Sequence, residues 1–239
     1  MNPGLNPAFR RPARRTRTPL PGFSFGNALL FDGINDRAEV NAGAGTGLVP
    51  PIGRNGSFAA WVYPTKTASN GFFVWGDTLS RLAFATNNGN VFFWDVNGTL
   101  LVTTVTPTLG AWQHLVVTWA DTGTVVVSNV YVNAVFCTGI SSEAWPTAAT
   151  KFVLGNNTVT GGSRPFGGRM DEVTLYDRAL SLREIQTLYG AGRGPSYQPT
   201  HGLLARWPLD EAGGTTASDS SGNGRHLTLV NGPTFVPHY

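Results

Sequence analysis

The sequence predicts an all-β fold, a sandwich or jelly roll of antiparallel strands with one short helix. Three observations point there. Short apolar runs recur along most of the chain, separated by Gly, Asn and Asp, the residues that turn a strand back on itself. Thirty glycines and 16 prolines in 239 residues supply turns and interrupt helices. Only one stretch combines a helix start signal with an apolar stripe at helical spacing.

Residues 1–25 carry no periodic apolar pattern, and Pro3, Pro7, Pro12 and Pro19 make them an extended arm. "ALLFDGINDRAEV" (28–40) reads as strand, tight turn at Asp32-Gly33, strand. "SFAAWVYPT" (57–65) alternates, with Phe58, Ala60 and Val62 on one face and Ala59, Trp61 and Tyr63 on the other. "GFFVWG", "RLAFAT", "VFFWDV" and "TLLVTTV" follow as short strands, and Asn97-Gly98 is a hairpin turn between the last two. "WQHLVVTWAD" and "TVVVSNVYVNAVF" read as two long strands joined through Asp121-Thr122-Gly123, and "KFVLGNN" and "FGGRMDEVTLYDRAL" add two more. Ser181 and Glu184 form a capping box, Leu182, Ile185, Leu188 and Tyr189 supply the buried stripe, and Gly190 stops the helix. Strand signals at this spacing fit a sandwich and not a βαβ fold.

Four of these stretches carry a resemblance. "ALLFDGINDRAEV", "SFAAWVYPT", "WQHLVVTWADTGTVVVSNVYVNAVF" and "FGGRMDEVTLYDRALSLREIQTLYGAG" resemble, in order, successive motifs of laminin G-like domains, part of the concanavalin A-like lectin/glucanase superfamily. The last is the most specific, with its Gly-led strand, Asp-Glu-Val, "RAL" and capped helix. The resemblance implies a two-sheet antiparallel jelly-roll sandwich. The chain then divides into a basic arm at 1–25 and a sandwich at 26–239. The sandwich comprises a main body (26–190), a linker (191–201) and terminal strands (202–239).

In such domains a segment like "GLLARWPLDEAGGTTASDSSGNGRHLTLVNGPTFVP" precedes "GNALLFDG"; here it follows. It completes its own sandwich as a circular permutation, completes a neighbouring subunit by strand exchange, or is the stump of a second repeat. A stump leaves "LLARW" and "HLTLV" as exposed strands open to aggregation. Permutation, which needs only neighbouring termini, is the expectation, and strand exchange is the alternative.

Composition narrows the function. Charged residues are 13%, well under the common quarter, and the net charge of +3 is unevenly placed. Arg10, Arg11, Arg14, Arg15 and Arg17 sit in one run; without those five of the 17 basic residues, 12 remain against 14 acidic ones. Cys137 is the single cysteine, so no internal disulfide forms. The arm lacks the apolar core of a signal peptide, its prolines oppose the amphipathic helix of a transit peptide, and no apolar run spans a membrane.

Catalytic patterns are missing. The superfamily's glucanases use paired acids on one strand, E-x-D-x-x-E or E-x-x-E, which this sequence does not contain. Asp171 and Glu172 are adjacent and on a regular strand point to opposite faces, so they cannot share one glycosidic bond. His114 reads as a structural residue on a core strand, and neither G-x-S-x-G nor HExxH occurs. The reading is therefore a non-enzymatic binding or structural protein.

The resemblance implies Ca²⁺ as the one cofactor to consider, with Asp36, Asp171 and Asp219 as candidate ligands near turns. Trp145, in a loop, is the candidate glycan contact, with a cap on the sandwich as its other reading. The arginine run fits a docking strap, since Arg forks pair with carboxylates and phosphates. No aromatic is interleaved with it, which speaks against nucleic acid. Two functions result. One is a phage virion decoration or appendage, anchored to capsid or tail proteins by the arm, oligomeric in the assembly, with the sandwich facing host glycans. The other is a bacterial carbohydrate-binding module at the cell surface or outside the cell.

Overall fold

A computed structural model describes residues 26–41, 49–67, 69–76, 81–87, 91–143, 145–146, 151–157, 164–190 and 198–238. The arm, with its five arginines, lies outside the described residues.

The first strands are β1 (Asn27–Asp32), β2 (Arg37–Asn41), β3 (Gly56–Pro64), β4 (Gly71–Gly76), β5 (Arg81–Thr86), β6 (Phe92–Val96) and β7 (Thr99–Val102). Then follow β8 (Gln113–Asp121), β9 (Val126–Val132), β10 (Val135–Ser142), β11 (Lys151–Leu154), β12 (Asn156–Asn157), β13 (Arg164–Pro165) and β14 (Gly167–Tyr176). The chain closes with α1 (Leu182–Tyr189), β15 (Leu203–Trp207), β16 (Thr216–Ala217), β17 (Leu227–Val230) and β18 (Thr234–Pro237).

Sixteen of these strands form two antiparallel eight-stranded sheets, and β12 and β13 pair with each other. Sheet A runs β10-β9-β8-β3-β14-β1-β18, with β15 also on β14; sheet B runs β16-β17-β2-β11-β4-β5-β6-β7. Alternation puts one face of each strand between the sheets, where Phe58, Ala60 and Val62 of β3 meet Phe73 and Phe152 of sheet B. Trp94 stacks on Trp119 across this core at 5.6 Å, and Trp207 stacks on Phe152 at 5.2 Å. The fold class is as expected: all-β, a jelly-roll sandwich with one helix.

The terminal strands serve the same chain. β15 pairs with β14, β17 with β2 and β18 with β1, so residues 203–237 fill positions in both sheets of their own sandwich.

The helix starts as the sequence predicts. Ser181 Oγ accepts the Glu184 N–H, Glu184 reaches back to the Ser181 N–H, and Gly190 ends the helix in the left-handed conformation (φ 54°). Ile185 and Leu188 pack on Ala59, Val116 and Tyr176 on the outer face of sheet A. Leu182 departs from the expected stripe: it opens the first turn and is 50% exposed. A second departure is a hairpin inside the run read as one strand. Asn133 and Ala134 both take positive φ (52° and 61°) and turn β9 into β10. No glycine marks that turn, so the apolar run hid it.

Candidate functional site

The three aspartates do not form one calcium site. Asp219 is saturated by its own turn: Oδ1 accepts the Arg206 and Ser221 N–H groups and Oδ2 the Arg225 N–H. Burial opposes its charge, but these donors hold the carboxyl below its ordinary range. Asp36 is buried in the β1–β2 turn, where Oδ2 accepts the Asp32 N–H and Oδ1 has no hydrogen-bond partner among the described residues. Asp171 lies against His238, its Oδ2 2.6 Å from Nδ1. Among the described residues no three acidic, His or Cys side chains gather as a metal would need, and calcium takes six to eight oxygens. These three side chains, as the described residues place them, do not fit the ion.

Asp171 and Glu172 correct a second expectation. Met170 and Val173, three apart, both face the inter-sheet core. Residues three apart share a face only when an extra residue intervenes, so Asp171 and Glu172 both lie off the core side, in a bulge with Glu172 at φ 48°. The bulge falls where one edge of β14 changes neighbour, from β1 (up to Met170) to β15 (from Val173). Each acid has a local partner there. Glu172 takes Arg206 as a fork, Nη2 donating to Oε1 at 3.1 Å and Nε to Oε2 at 3.3 Å. His238 also stacks on Trp112 at 4.0 Å. Burial pushes Asp171 up to about 8 and Glu172 up to about 7, with Arg206 pulling Glu172 back; burial, aided by Arg169, pushes His238 down to about 4. Asp171 and Glu172 are 1% and 7% exposed, so the cluster is an internal seam and does not face a substrate. His114 is likewise a core residue, which burial lowers to about 3.

Trp145 is half-buried against Trp119 (6.1 Å between ring centroids), and its enclosed indole Nε1 has no hydrogen-bond partner among the described residues. Five of the seven tryptophans are buried, and Trp112 and Trp145 are half-buried.

A groove that the sequence reading missed lies on the outer face of sheet B, at the β5–β6–β7 edge. In β6, Phe92, Trp94 and Val96 enter the core while Phe93 and Asp95 face out. Across from them on β7 stand Val102 and Leu100, 47% and 53% exposed. Arg81 Nε meets Asp95 Oδ2 at 2.9 Å, and the other Asp95 oxygen accepts the Gly98 N–H. Arg164 arrives from β13, its guanidinium 5.3 Å over the Phe93 ring, with Nη1 donating to the Thr86 carbonyl. With Asn87, these groups enclose about 260 Å³. The signal was present in two places: alternation in "FFWDV" sends an aromatic and an acid outward, and "TLLV" puts two aliphatics on the solvent side of an edge strand. A larger hollow of about 440 Å³ lies between α1 and residues 199–201; its Arg178 and Glu184 neutralise each other at 2.5 Å, and Arg183 and His201 also line it, with no Phe, Tyr or Trp among the described residues.

The Laminin_G_3 model of the concanavalin A-like lectin/glucanases superfamily matches residues 34–186. The chain belongs to this family. Solved structures agree with the Laminin_G_3 fold. A candidate carbohydrate binding protein from Bacteroides ovatus ATCC 8483 superposes with TM-score 0.69 at 16% identity, covering 90% of this chain. The chain spans 60% of that protein's length. A heptameric SAP-like pentraxin from Limulus polyphemus gives 0.62 at 14% identity over 90% of this chain and 96% of its own. The CBM40 of a Ruminococcus gnavus IT-sialidase, solved with α2,3 sialyllactose, gives 0.53 at 14% over 67% of this chain and 97% of its own. No curated protein sequence matches the chain. These likenesses, all under 25% identity, speak to the Laminin_G_3 fold alone. No helix among the described residues is long and apolar enough to cross a membrane.

Proposed function

We propose that the protein is a non-enzymatic glycan-binding module that holds its ligand in the β5–β7 groove. The observation that carries this reading is the composition of the groove: an apolar step of the exposed Leu100 and Val102, next to Phe93 buried under Arg164, beside the polar groups of Arg81, Asn87, Asp95 and Arg164. A sugar ring offers apolar C–H faces and a rim of hydroxyls, and such a surface matches both. The carbohydrate-binding neighbours on the same fold support it. Hydrolysis would need two carboxyls about 5–9.5 Å apart around the scissile bond. Among the described lining residues Asp95 is the one carboxyl, and Arg81 and the Gly98 N–H hold it. The test is binding of the full chain to a glycan array, with Leu100→Asp/Val102→Asp as the groove variant. Binding lost in a variant that still melts cooperatively supports the reading; binding of no glycan, or binding untouched by the variant, removes it.

The arginine run carries a second, compatible reading. We propose that Arg10, Arg11, Arg14, Arg15 and Arg17 anchor the protein to the capsid or tail of a phage, as one of several copies, with the sandwich outward. On this reading the protein resides in the virion, and host glycans are its outward partners; otherwise it works at a bacterial surface or outside the cell. The strand order, with residues 203–237 closing the sandwich, supports a circular permutation of the family's order. Mass spectrometry of purified particles decides the location: a stoichiometric signal supports the virion, and its absence from particles removes it.

A further inference from the structure

We infer that the ligand of the β5–β7 groove is an anionic sugar, whose oxyanion, carboxylate or sulfate, docks on Arg164. The inference rests on the glycan-binding reading and adds the chemical class. Its ground is charge that the groove does not balance. Among the described residues, two guanidinium groups and one carboxylate line it. Asp95 is committed to Arg81 at 2.9 Å and is itself buried, so that pair is closed. Arg164 has no carboxylate partner among the described residues; its Nη1 meets a backbone carbonyl at 3.3 Å, and its charge lies over Phe93.

That arrangement suits an incoming oxyanion. The ring beneath holds the guanidinium plane in place, so less rotamer freedom is lost when a ligand binds. The remaining N–H donors form a fork that matches two oxygens of one carboxylate or sulfate. Leu100 and Val102, exposed on the same face, give the sugar ring an apolar bed and exclude water from the charge pair, which strengthens it. A neutral sugar in this place would leave Arg164 partly desolvated and unpaired, which is costly.

The experiment starts from a glycan array of acidic and neutral sugars probed with the full chain. Each acidic hit is then titrated by calorimetry beside its neutral counterpart, the methyl ester for a carboxylate and the desulfated sugar for a sulfate. Arg164→Gln and Arg164→Lys are compared with the wild type, with near-UV circular dichroism to show that the fold is kept. The expected result is binding of the acidic form alone, weakening with salt, lost about 10- to 100-fold in Arg164→Gln and partly retained in Arg164→Lys. The array arm that responds names the oxyanion. Neutral and acidic forms bound alike, with Arg164→Gln unchanged, would overturn the inference and leave the glycan reading standing. A wild-type chain that binds no glycan would overturn both.

Discussion

The seam at Asp171 makes stability fall as pH rises, the reverse of a carboxylate paired with Arg. In the unfolded chain the carboxyl titrates near 3.8 and the imidazole of His238 near 6.5. Together they hold one proton between those values and none above. In the fold, burial lifts Asp171 to about 8 and lowers His238 to about 4, so the pair keeps one proton across its 2.6 Å contact up to about 8. The folded and unfolded chains therefore bind equally from about 4 to 6.5. From 6.5 to about 8 the folded chain binds one proton more, and stability falls as pH rises. Each pH unit in that window costs ~1.4 kcal/mol, so the pair loses roughly 2 kcal/mol.

Two neighbours add to the profile. Glu172, ordinarily 4.5 and lifted to about 7 by burial, also favours low pH, from 4.5 to 7. His114, lowered by burial from 6.5 to about 3, favours high pH over 3 to 6.5 and offsets Glu172 there. The chain is thus expected to be level between about 4.5 and 6.5 and to weaken toward 8. The assay is urea unfolding followed by Trp fluorescence at pH 6.5 and 8.5, for wild type and Asp171→Asn. The wild type is expected to lose roughly 2 kcal/mol more than the variant over that interval. Equal losses would refute the buried one-proton pair.

Three further outcomes are expected. Ser181→Ala removes the Glu184 N–H acceptor at the start of α1 and lowers stability by about 1 kcal/mol, read from the urea midpoint. Gly155→Ala places a Cβ 2.1 Å from the Phe31 ring at φ +79°, and is expected to cost about 2–4 kcal/mol, visible as a lowered melting temperature. Trp145→Ala strips packing from Trp119 and costs about 1–3 kcal/mol, while calorimetry finds glycan affinity unchanged.

The two sheets and the helix were legible because their signals are local. Alternation in "SFAAWVYPT", the Asn97-Gly98 turn and the Ser181–Glu184 box each fix a few residues' backbone without reference to the rest of the chain. The β9–β10 hairpin was not legible, since Asn133-Ala134 carries little of the turn chemistry that Gly announces. The bulge was hidden for a different reason. Asp171 meets His238 67 residues away and Glu172 meets Arg206 34 away, and only the split partnership of β14 brings them together. Asp219 looks available in sequence, but its own turn already claims both oxygens. Trp145 illustrates how a loop position suggests exposure while an adjacent core ring, Trp119, claims the indole. The groove was half legible. Its strand residues follow from alternation, whereas Arg164 reaches it from a strand 64 residues further along the chain than Leu100 and 71 further than Phe93.

The central claim is that a glycan occupies the β5–β7 groove, and amide chemical-shift mapping tests it most directly. A sugar taken from the array would be titrated into isotope-labelled protein. The account expects fast, saturable shifts clustered at Arg81, Phe93, Asp95, Gly98, Leu100, Val102 and Arg164, with the α1 side silent. Shifts confined to the hollow at Arg178, Thr187 and Thr200, or to the loop at Trp145, would contradict it.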